Sequence, residues 1–525
     1  MPFTYRYNGL DVREEVILTQ LLGYLQALGV EKISVLDFHL DRSLTTADIL
    51  CGGVTDYVIA VRETGDNVHY ALRFASWLSR NGAERIWLYG QTARLSKLGA
   101  LPPRVRVVAH DEHELASQLG LRPDASLDFM KGLTPSLYFE RANLTQWQRS
   151  RLRGTIETTR GCHFPCRFCF INTGKNHSRR WAMRSPSAAV NDIRAYADRG
   201  VRGLVFHDSE FIGGSSHDIA NRRELAERLL AEAIPVYYKI YARADTLAKM
   251  PDLDLLQRSG LVSAFIGVES LVQSDLDALG KATTVDLIEA AVVQLAQAGI
   301  YMDLSFIMFH RNTTVITLRA NINSLMRLYT GPHSRYLGMP HFTFSFESGW
   351  GRVDAAQLSK KTYVGWDVRM KSPAAKGGCF DPALEPYMEV CRLLSYEWSK
   401  KVIALNLARD IASDSEKEDI ERWFSSLASF CLGMMETFLG QFEAGQLTID
   451  SLPEAQAHLF DCVTKFYQIL PPNMRHLETW HSHALEINYK ENSGLAERKE
   501  YWLDVIPTDQ VFAEDWSSPT HASAV

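Results

Sequence analysis

The chain has 525 residues, of which 46% are hydrophobic, so it can form several cores, and a prior of roughly 150 residues per domain suggests about three domains. Its 56 Lys and Arg residues against 62 Asp and Glu residues give a formal net charge of −6, which disfavours a nucleic-acid or anionic-membrane partner. The sequence contains no apolar run of about 18 residues and no basic region followed by an apolar run at its start, so we expect no membrane span, no secretory signal and a cytoplasmic protein.

Residues 1–125 alternate short apolar runs with amphipathic helical patterns, which is typical of a parallel sheet covered on both faces. The pattern predicts helices over Glu14–Leu28 and Asn67–Ser79. It predicts strands over Lys32–Phe38, Asp56–Val61, Arg85–Tyr89 and Val105–Ala109. We therefore predict an α/β fold that begins with a Rossmann-like, doubly wound domain.

Residues 126–152 have the composition of a linker, and a second alternating series occupies residues 153–350. Its predicted strands are Gly154–Thr158, Gly203–His207, Pro235–Tyr241, Ala264–Val268, Met302–Met308 and Phe342–Phe346, with helices such as Ser187–Arg199, Arg222–Ala233 and Thr284–Ala298 between them. Six βα units at this spacing predict a partial (β/α)6 barrel. Barrels of this type place their chemistry at the carboxyl ends of the strands.

The strand signal fades in the last third of the chain. Residues 351–470 form a predicted C-terminal helical region, with helical patterns over Pro382–Ile411, Glu416–Phe442 and Pro453–Ile469. Residues 471–525 are predicted to be an irregular tail.

The most informative segment is a cysteine cluster just after the first strand of the second series. Cys162, Cys166 and Cys169 have the spacing C-x3-C-x2-C in a loop opened by Gly161, whereas the other five cysteines of the chain are scattered. Thiolates are the usual ligands of iron–sulfur clusters, and a cluster normally takes four. Three ligands leave one iron open to bind another molecule directly. A zinc site would also need four nitrogen or sulfur ligands, and His163 is too close in sequence to serve beside its neighbouring cysteines.

The segment RGCHFPCRFCF (160–170) resembles the signature of the radical S-adenosylmethionine (SAM) superfamily. The resemblance implies that the three cysteines hold a [4Fe-4S] cluster and that SAM chelates the fourth iron. It also implies that an electron from a donor such as flavodoxin or ferredoxin leads to cleavage of a C–S bond of SAM. Phe168 matches the aromatic position of the family that packs near the adenine.

Further motifs of the family match strand ends downstream. Asp208 and Glu210 match the segment that binds the SAM amino group, and Arg243 matches the arginine that binds the SAM carboxylate, for which a guanidinium is well suited. Glu269 and Ser270 match the strand end that meets the ribose hydroxyls or the amino group. The alternatives are an exposed acidic loop for the two acids and a surface position for the arginine.

Two other segments resemble the radical SAM subgroup that carries an N-terminal cobalamin-binding-like (B12-binding) domain: Arg184-Ser185-Pro186, and Gly280 to Thr284. The usual lower-ligand motif of cobalamin domains, D-x-H-x-x-G, is not found after the first strand, which we expect within Phe3–Tyr7, ahead of the strand Lys32–Phe38. Asp37 and His39 give D-x-H, but they follow the second strand and no Gly completes the motif. Cobalamin is thus a candidate cofactor without support from this motif, and we expect none to bind.

The sequence therefore predicts a radical SAM enzyme that acts on a small molecule, in specialised-metabolite biosynthesis. Alternative reactions are cobalamin-dependent C-methylation and transfer of the 3-amino-3-carboxypropyl group of SAM. A different class of protein, with a non-catalytic redox or structural cluster, is opposed by the downstream motifs. Cys379, in a Gly-Gly loop, is a weak candidate for a catalytic hydrogen donor. The acidic C-terminal part disfavours RNA as a substrate.

Overall fold

The structure is a computed structural model of the chain, with side chains. It describes residues 12–37, 40–41, 44, 46–50, 53–61, 67–90, 101, 103–144, 146–150, 152–169, 181–310, 312–338, 341–343, 381–391, 393–394 and 414–468.

The N-terminal part contains a parallel sheet with two covered faces. The strands β2 (Asp56–Val61), β3 (Arg85–Gly90) and β4 (Val105–Ala109) pair in that order, all parallel. The helices are α1 (Val16–Ala27), α2 (Thr46–Ile49), α3 (Asn67–Arg80) and α4 (Glu112–Gln118). Trp87 and Tyr89 of β3 pack with α1, whereas Ile86 and Leu88 pack with α3. Alternate residues of one strand thus bury two helices on opposite faces, which confirms the predicted doubly wound arrangement.

The predicted strand Lys32–Phe38 is wrong over its described residues, because 32–37 belong to no sheet. Asp37, at the end of this segment, forms hydrogen bonds with residues outside any strand. The Asp37 carboxylate accepts hydrogen bonds from the Leu40 backbone N–H at 3.2 Å and from the Tyr138 hydroxyl at 2.9 Å. Alternation of apolar residues predicts a strand, but the pattern carries no information on a partner 101 positions away.

The second series forms a seven-stranded parallel sheet in the order β1-β5-β8-β9-β10-β11-β12. Its strands are β1 (Val12–Arg13), β5 (Leu152–Ile156), β8 (Gly203–Phe206), β9 (Tyr237–Arg243), β10 (Leu261–Glu269), β11 (Tyr301–Ile307) and β12 (His341–Thr343). The intervening helices are α5 (Gln146–Ser150), α6 (Pro186–Ala197), α7 (Ser216–Ala231), α8 (Ala244–Leu247), α9 (Leu253–Arg258), α10 (Gln273–Ala278), α11 (Val285–Gln297) and α12 (Val315–Thr330). The predicted barrel strands all appear; β10 is longer than expected, and β9 begins and ends two residues later than expected.

Side-chain caps fix where the helices behind the barrel begin. Ser185 caps α6 by accepting from the Ala188 N–H, and Pro186 fills its first position. Ser215 and Asp218 form a capping box at the start of α7, and Thr314 with Thr317 forms another at α12. Caps of this kind satisfy backbone N–H groups that have no partner within the helix, so each βα loop ends at a defined residue.

The edge strand β1 was not predicted, and it ties the N-terminal part to the barrel. Val12 pairs with Leu152 and Arg13 with Arg153. The next residue, Glu14, is 1% exposed, and its carboxylate accepts from the backbone N–H groups of Tyr138 and Phe139 and from the Tyr196 hydroxyl. Residues 126–152 contain the 3-10 helices Phe129–Lys131 and Phe139–Arg141 and contribute buried side chains to the barrel core.

Burial raises the pKa of Glu14 from 4.5 to about 7. The folded chain then binds this proton more tightly than the unfolded chain, so the free energy of unfolding falls as the pH rises from about 4.5 to about 7. Glu14→Gln should remove this contribution, at most about 3 kcal/mol, and flatten the dependence. Denaturant titrations at about pH 5 and about pH 7.5 measure it. Glu140→Gln at an exposed site should keep the slope of the unchanged chain, and an equal slope for Glu14→Gln would contradict the assignment.

The C-terminal region is helical where it is described. Residues 385–391 continue the 3-10 turn Pro382–Leu384, and the long helices Asp414–Glu443 and Leu452–Gln468 follow. Helix Asp414–Glu443 packs on α12, where Arg319 pairs with Glu436 at 3.2 Å and with Glu443. Within the described residues, no helix combines the length and the apolar character that crossing a membrane requires.

Candidate functional site

The cysteine loop connects the two strands of a short hairpin at the carboxyl edge of the barrel. The strands β6 (Thr159–Gly161) and β7 (Trp181–Met183) pair antiparallel, and Gly161 has a φ of 86°, which turns the chain into the loop. The three cysteines are half-buried. Arg167 fastens the loop to the barrel, because its N–H donates to the Leu279 carbonyl at 3.0 Å and its guanidinium to the Ala278 carbonyl at 3.2 Å.

Arg243, at the end of β9, contacts the cysteine loop directly. Its Nη1 lies 3.0 Å from Cys166 Sγ, and its guanidinium carbon lies 3.8 Å from the centre of the Phe164 ring. Its Nε donates to Asp245 Oδ1 at 2.9 Å, and its Nη2 donates to the Lys281 carbonyl at 2.5 Å. The predicted carboxylate-binding arginine is therefore at the cysteine loop and is held there from two sides.

Glu210 is fully buried and holds the end of β9. Its Oε2 accepts from the Arg243 backbone N–H at 2.7 Å, and its Oε1 accepts from the Thr246 hydroxyl at 2.8 Å. Oε1 also accepts from the backbone N–H groups of Ile212 and Gly213. Burial raises the pKa of Glu210 to about 7, although these donors oppose the rise. Glu210 therefore holds the Arg243 backbone through Oε2 and the neighbouring turns through Oε1, and its binding of a SAM amino group stays a prediction.

Asp208 lies behind the site and holds the start of the cysteine hairpin. One oxygen accepts from the backbone N–H groups of Thr158 at 2.5 Å and Thr159 at 2.9 Å, and the other accepts from the Thr158 hydroxyl at 2.5 Å. Arg222 donates to the same hydroxyl at 2.8 Å. Asp208 is 2% exposed, so its binding of a SAM amino group stays a prediction beside this observed role in the loop.

Glu269 forms an ion pair with Lys281 at the site. Lys281 belongs to the segment Gly280 to Thr284, for which the sequence predicts no role at the site. Lys281 Nζ lies 2.9 Å from Glu269 Oε1 and 5.5 Å from the centre of the Phe168 ring. Glu269 has a φ of 68° at an irregularity between β10 and β11, a conformation that is uncommon outside glycine. A Cβ at Gly267 would lie 2.7 Å from both charged groups, so glycine permits this pair.

Ser270 is not directed into the site. It is fully buried, and its hydroxyl lies 3.0 Å from Asp275 Oδ2 and 2.9 Å from Asn321 Oδ1. The structure thus brings Cys166, Arg243, Glu210 and, through Lys281, Phe168 and Glu269 to one edge of the barrel. Ser270 belongs to a neighbouring network that links two helices.

Three cysteine thiols in one loop are a donor set that an iron–sulfur cluster can use. Among the described residues, no three His, Cys, Asp or Glu side chains are grouped as ligands of one metal ion. A [4Fe-4S] cluster takes one thiolate per iron, which a loop of three half-buried cysteines can supply. Burial raises the pKa of the Cys162 thiol to about 11, so iron binding has to displace its proton.

The remaining cysteines do not extend this site as far as the structure describes them. Cys391 and Cys431 are buried in the core, and Cys462 lies beside His458 on helix Leu452–Gln468. Cys379 lies outside the described residues, as does His39. The catalytic role suggested for Cys379 stays a prediction.

The segment that contains this site is similar to known proteins. A family model described as the radical SAM superfamily matches residues 156–318. The chain is 28% identical over 163 residues to the anaerobic magnesium-protoporphyrin IX monomethyl ester cyclase of Rubrivivax gelatinosus, covering 30% of this chain and 28% of that protein. It is also 28% identical over 197 residues to 4'-phospho-dehydrooxetanocin synthase of Priestia megaterium, covering 34% and 26%. The matched segment thus spans about a quarter of each relative.

A solved structure shares the fold over most of the chain. The cobalamin-dependent S-adenosylmethionine radical enzyme OxsB, solved with aqua-cobalamin and S-adenosylmethionine, aligns with a TM-score of 0.60 at 15% identity, covering 92% of this chain and 83% of its own. This likeness confirms the predicted order of a Rossmann-like unit before a barrel. The cysteine signature lies inside the segment that matches the radical SAM superfamily model, so residues 156–318 form a radical SAM domain.

Proposed function

We propose that this protein is a radical SAM enzyme that reductively cleaves SAM at a [4Fe-4S] cluster to drive radical chemistry on a small molecule. The observation that carries the proposal is the contact of Arg243 with the cysteine loop, 3.0 Å from Cys166 Sγ. A guanidinium beside the cluster ligands is placed to bind a carboxylate on the open iron. A purely structural cluster has no need of such a group.

The residues of the chain have distinct roles in this proposal. Cys162, Cys166 and Cys169 hold three irons, and Arg243 binds the SAM carboxylate in a charge-assisted pair. Glu210 holds Arg243, and Asp208 holds the start of the cysteine loop. The cluster, when bound and reduced, supplies the electron that breaks a C–S bond of SAM.

The adenosyl side of SAM would meet the Lys281–Glu269 pair and Phe168. Glu269 Oε2 accepts a hydrogen bond from the Ser305 hydroxyl at 3.3 Å. A carboxylate oxygen has more than one lone pair, so Oε2 can accept a second hydrogen bond. Ribose hydroxyls can donate to such a carboxylate. We propose that the ring of Phe168 packs near the adenine, the position that the sequence predicts for it.

We propose the domain division that the sequence predicts: residues 1–125 for the Rossmann-like unit, 126–152 for a linker, 153–350 for the core barrel, 351–470 for the helical region and 471–525 for an irregular tail. The substrate is a small molecule of specialised metabolism, and flavodoxin or ferredoxin delivers the electron. We propose a cytoplasmic location.

Cobalamin-dependent methylation is the alternative that the shared fold with OxsB favours. A corrinoid would lie against the carboxyl ends of β2, β3 and β4. His110 follows β4, but its Nε2 lies 3.1 Å from Gln20 Oε1 and 3.7 Å from Glu112 Oε1. Within the described part of this edge, the imidazole is thus engaged by the protein, and no residue there fits the role of lower ligand. Asp37 is likewise bound to Tyr138.

We expect the purified protein to carry no corrinoid and to form 5'-deoxyadenosine from SAM without methylating its substrate. The test is an optical spectrum of protein expressed with cobalamin supplied, together with assays for 5'-deoxyadenosine and S-adenosylhomocysteine. Tight corrinoid binding with formation of S-adenosylhomocysteine would instead establish the methyltransferase. Formation of methylthioadenosine would indicate transfer of the aminocarboxypropyl group.

A further inference from the structure

A buried polar cluster joins the N-terminal unit to the strand that enters the cysteine loop. Its members are Gln20 on α1, Glu112 on α4, and Glu157 and Arg160 around β6. Glu112 is 7% exposed, Glu157 8% and Gln20 1%. We call this set the Arg160 cluster.

The guanidinium of Arg160 is the only cation of this set, and it contacts every other member. Its Nη2 lies 2.9 Å from Glu157 Oε2, 2.9 Å from Gln20 Oε1 and 3.3 Å from Glu112 Oε1. Gln20 Nε2 closes the cluster by donating to Glu157 Oε2 at 2.7 Å. A buried carboxylate without a partner is unfavourable, and Arg160 pairs with both glutamates, while His110 Nε2 lies 3.7 Å from Glu112 Oε1 as a second contact.

Arg160 links the N-terminal unit to the first cysteine because of its position in the chain. Arg160 lies in β6, two residues before Cys162, and Glu112 is the first residue of the helix that follows the N-terminal sheet. The contacts of Arg160 with Glu112 and Gln20 cross from the barrel to the N-terminal unit. Any change in the spacing of the two units therefore reaches the first cysteine through a short, buried connection.

We propose that Arg160 is a positioning residue through which the N-terminal unit fixes the conformation of the cysteine loop. The inference rests on the proposed function, because the loop is taken to hold the cluster. It goes beyond that function, since it makes the N-terminal unit a determinant of the geometry of the cysteine loop.

The test uses the full chain with its reconstituted cluster and the variants Arg160→Gln, Arg160→Lys, Glu112→Gln and the double variant Arg160→Gln with Glu112→Gln. The first readout is hydrogen exchange of the amides of residues 159–169, in the presence and absence of iron. The second is the split between kcat and KM for SAM in 5'-deoxyadenosine formation. Arg199→Gln is the matched control, because Arg199 forms an exposed pair with Glu140 at 3.0 Å away from the loop.

We expect Arg160→Gln to keep about four irons per chain, to speed exchange over 159–169, and to lower kcat by roughly tenfold to a hundredfold, the loss that follows from a small displacement of reacting groups. Arg160→Lys should recover part of kcat because it keeps the charge. Glu112→Gln should act in the same direction, and the double variant should lose less than the product of the two single effects.

Unchanged exchange over 159–169 in Arg160→Gln, or fully multiplicative effects in the double variant, would overturn the proposal. So would equal losses in Arg199→Gln. If the unchanged chain fails to cleave SAM, the proposed function fails, but the exchange experiment still decides whether Arg160 and Glu112 hold the loop.

Discussion

Replacing any one of Cys162, Cys166 or Cys169 with alanine is expected to abolish SAM cleavage and to lower the iron content below that of the unchanged protein. Each thiolate binds one iron, and a loop with three ligands has no spare donor. Anaerobically reconstituted wild-type protein should carry about four irons per chain. The measurements are iron and sulfide analysis and the yield of 5'-deoxyadenosine under reducing conditions.

Cys391→Ala and Cys462→Ala are the controls for this loss. Cys391 lies in the core at 1% exposure, and Cys462 lies near His458 on a helix remote from the cysteine loop in sequence. Both variants should retain the cluster and turnover, although Cys391→Ala leaves a small cavity. An active protein that contains zinc and no iron would refute the cluster assignment.

Arg243→Gln is expected to weaken SAM binding by roughly tenfold to a hundredfold, the size of a lost charged hydrogen bond. Arg243→Lys should lose nearly as much, because an ammonium cannot reproduce the forked contacts of a guanidinium. The iron content should be unchanged, since Arg243 contacts Cys166 without being a ligand. Equilibrium binding of SAM to the reconstituted, unreduced protein provides the measurement.

Arg258→Gln controls for loss of an arginine in the same barrel. Arg258 is exposed on α9, and its pairing with Asp254 is long, at 4.0 Å. Glu210→Gln should also weaken SAM binding, but less, since Glu210 acts by holding the Arg243 backbone. Unchanged SAM affinity in Arg243→Gln would show that the strand-end motif is misplaced. Loss of the cluster in that variant would instead make Arg243 a support for Cys166.

The fold could be predicted where the pattern is local. Apolar runs with Gly and capping residues at their ends located the barrel strands, because both signals lie within a few residues of each strand. The edge strand Val12–Arg13 could not be found in this way, since two residues carry no periodicity and their partner is Leu152–Arg153. The strand predicted over 32–37 was wrong although its apolar pattern suits a strand. Asp37, at the end of this segment, binds the Tyr138 hydroxyl, a distant contact that the local pattern cannot show.

The candidate site divides in the same way. The cysteine spacing and Arg243 follow from motifs that a single sequence displays. Sequence did not distinguish a carboxylate facing the site from one that is bound to backbone, and the contacts of Asp208 with Thr158 and Thr159 become visible only in three dimensions. The sequence placed Lys281 in a motif with Gly280, but it did not show that Lys281 pairs with Glu269. The Arg160 cluster left no sequence signal beyond the Arg before Gly161, because its other members come from distant elements.

The pairing of Val12–Arg13 with Leu152–Arg153 bears on how the chain is made. During translation the first strand of the barrel sheet leaves the ribosome about 140 residues before its partner, a delay of roughly seven to thirty seconds at common elongation rates. Until then Val12 and the Glu14 carboxylate have neither the strand nor the backbone donors that bury them. The N-terminal segment of the Rossmann-like unit therefore cannot be completed until residues 138–153 have emerged, and the two units finish this part of their folding together.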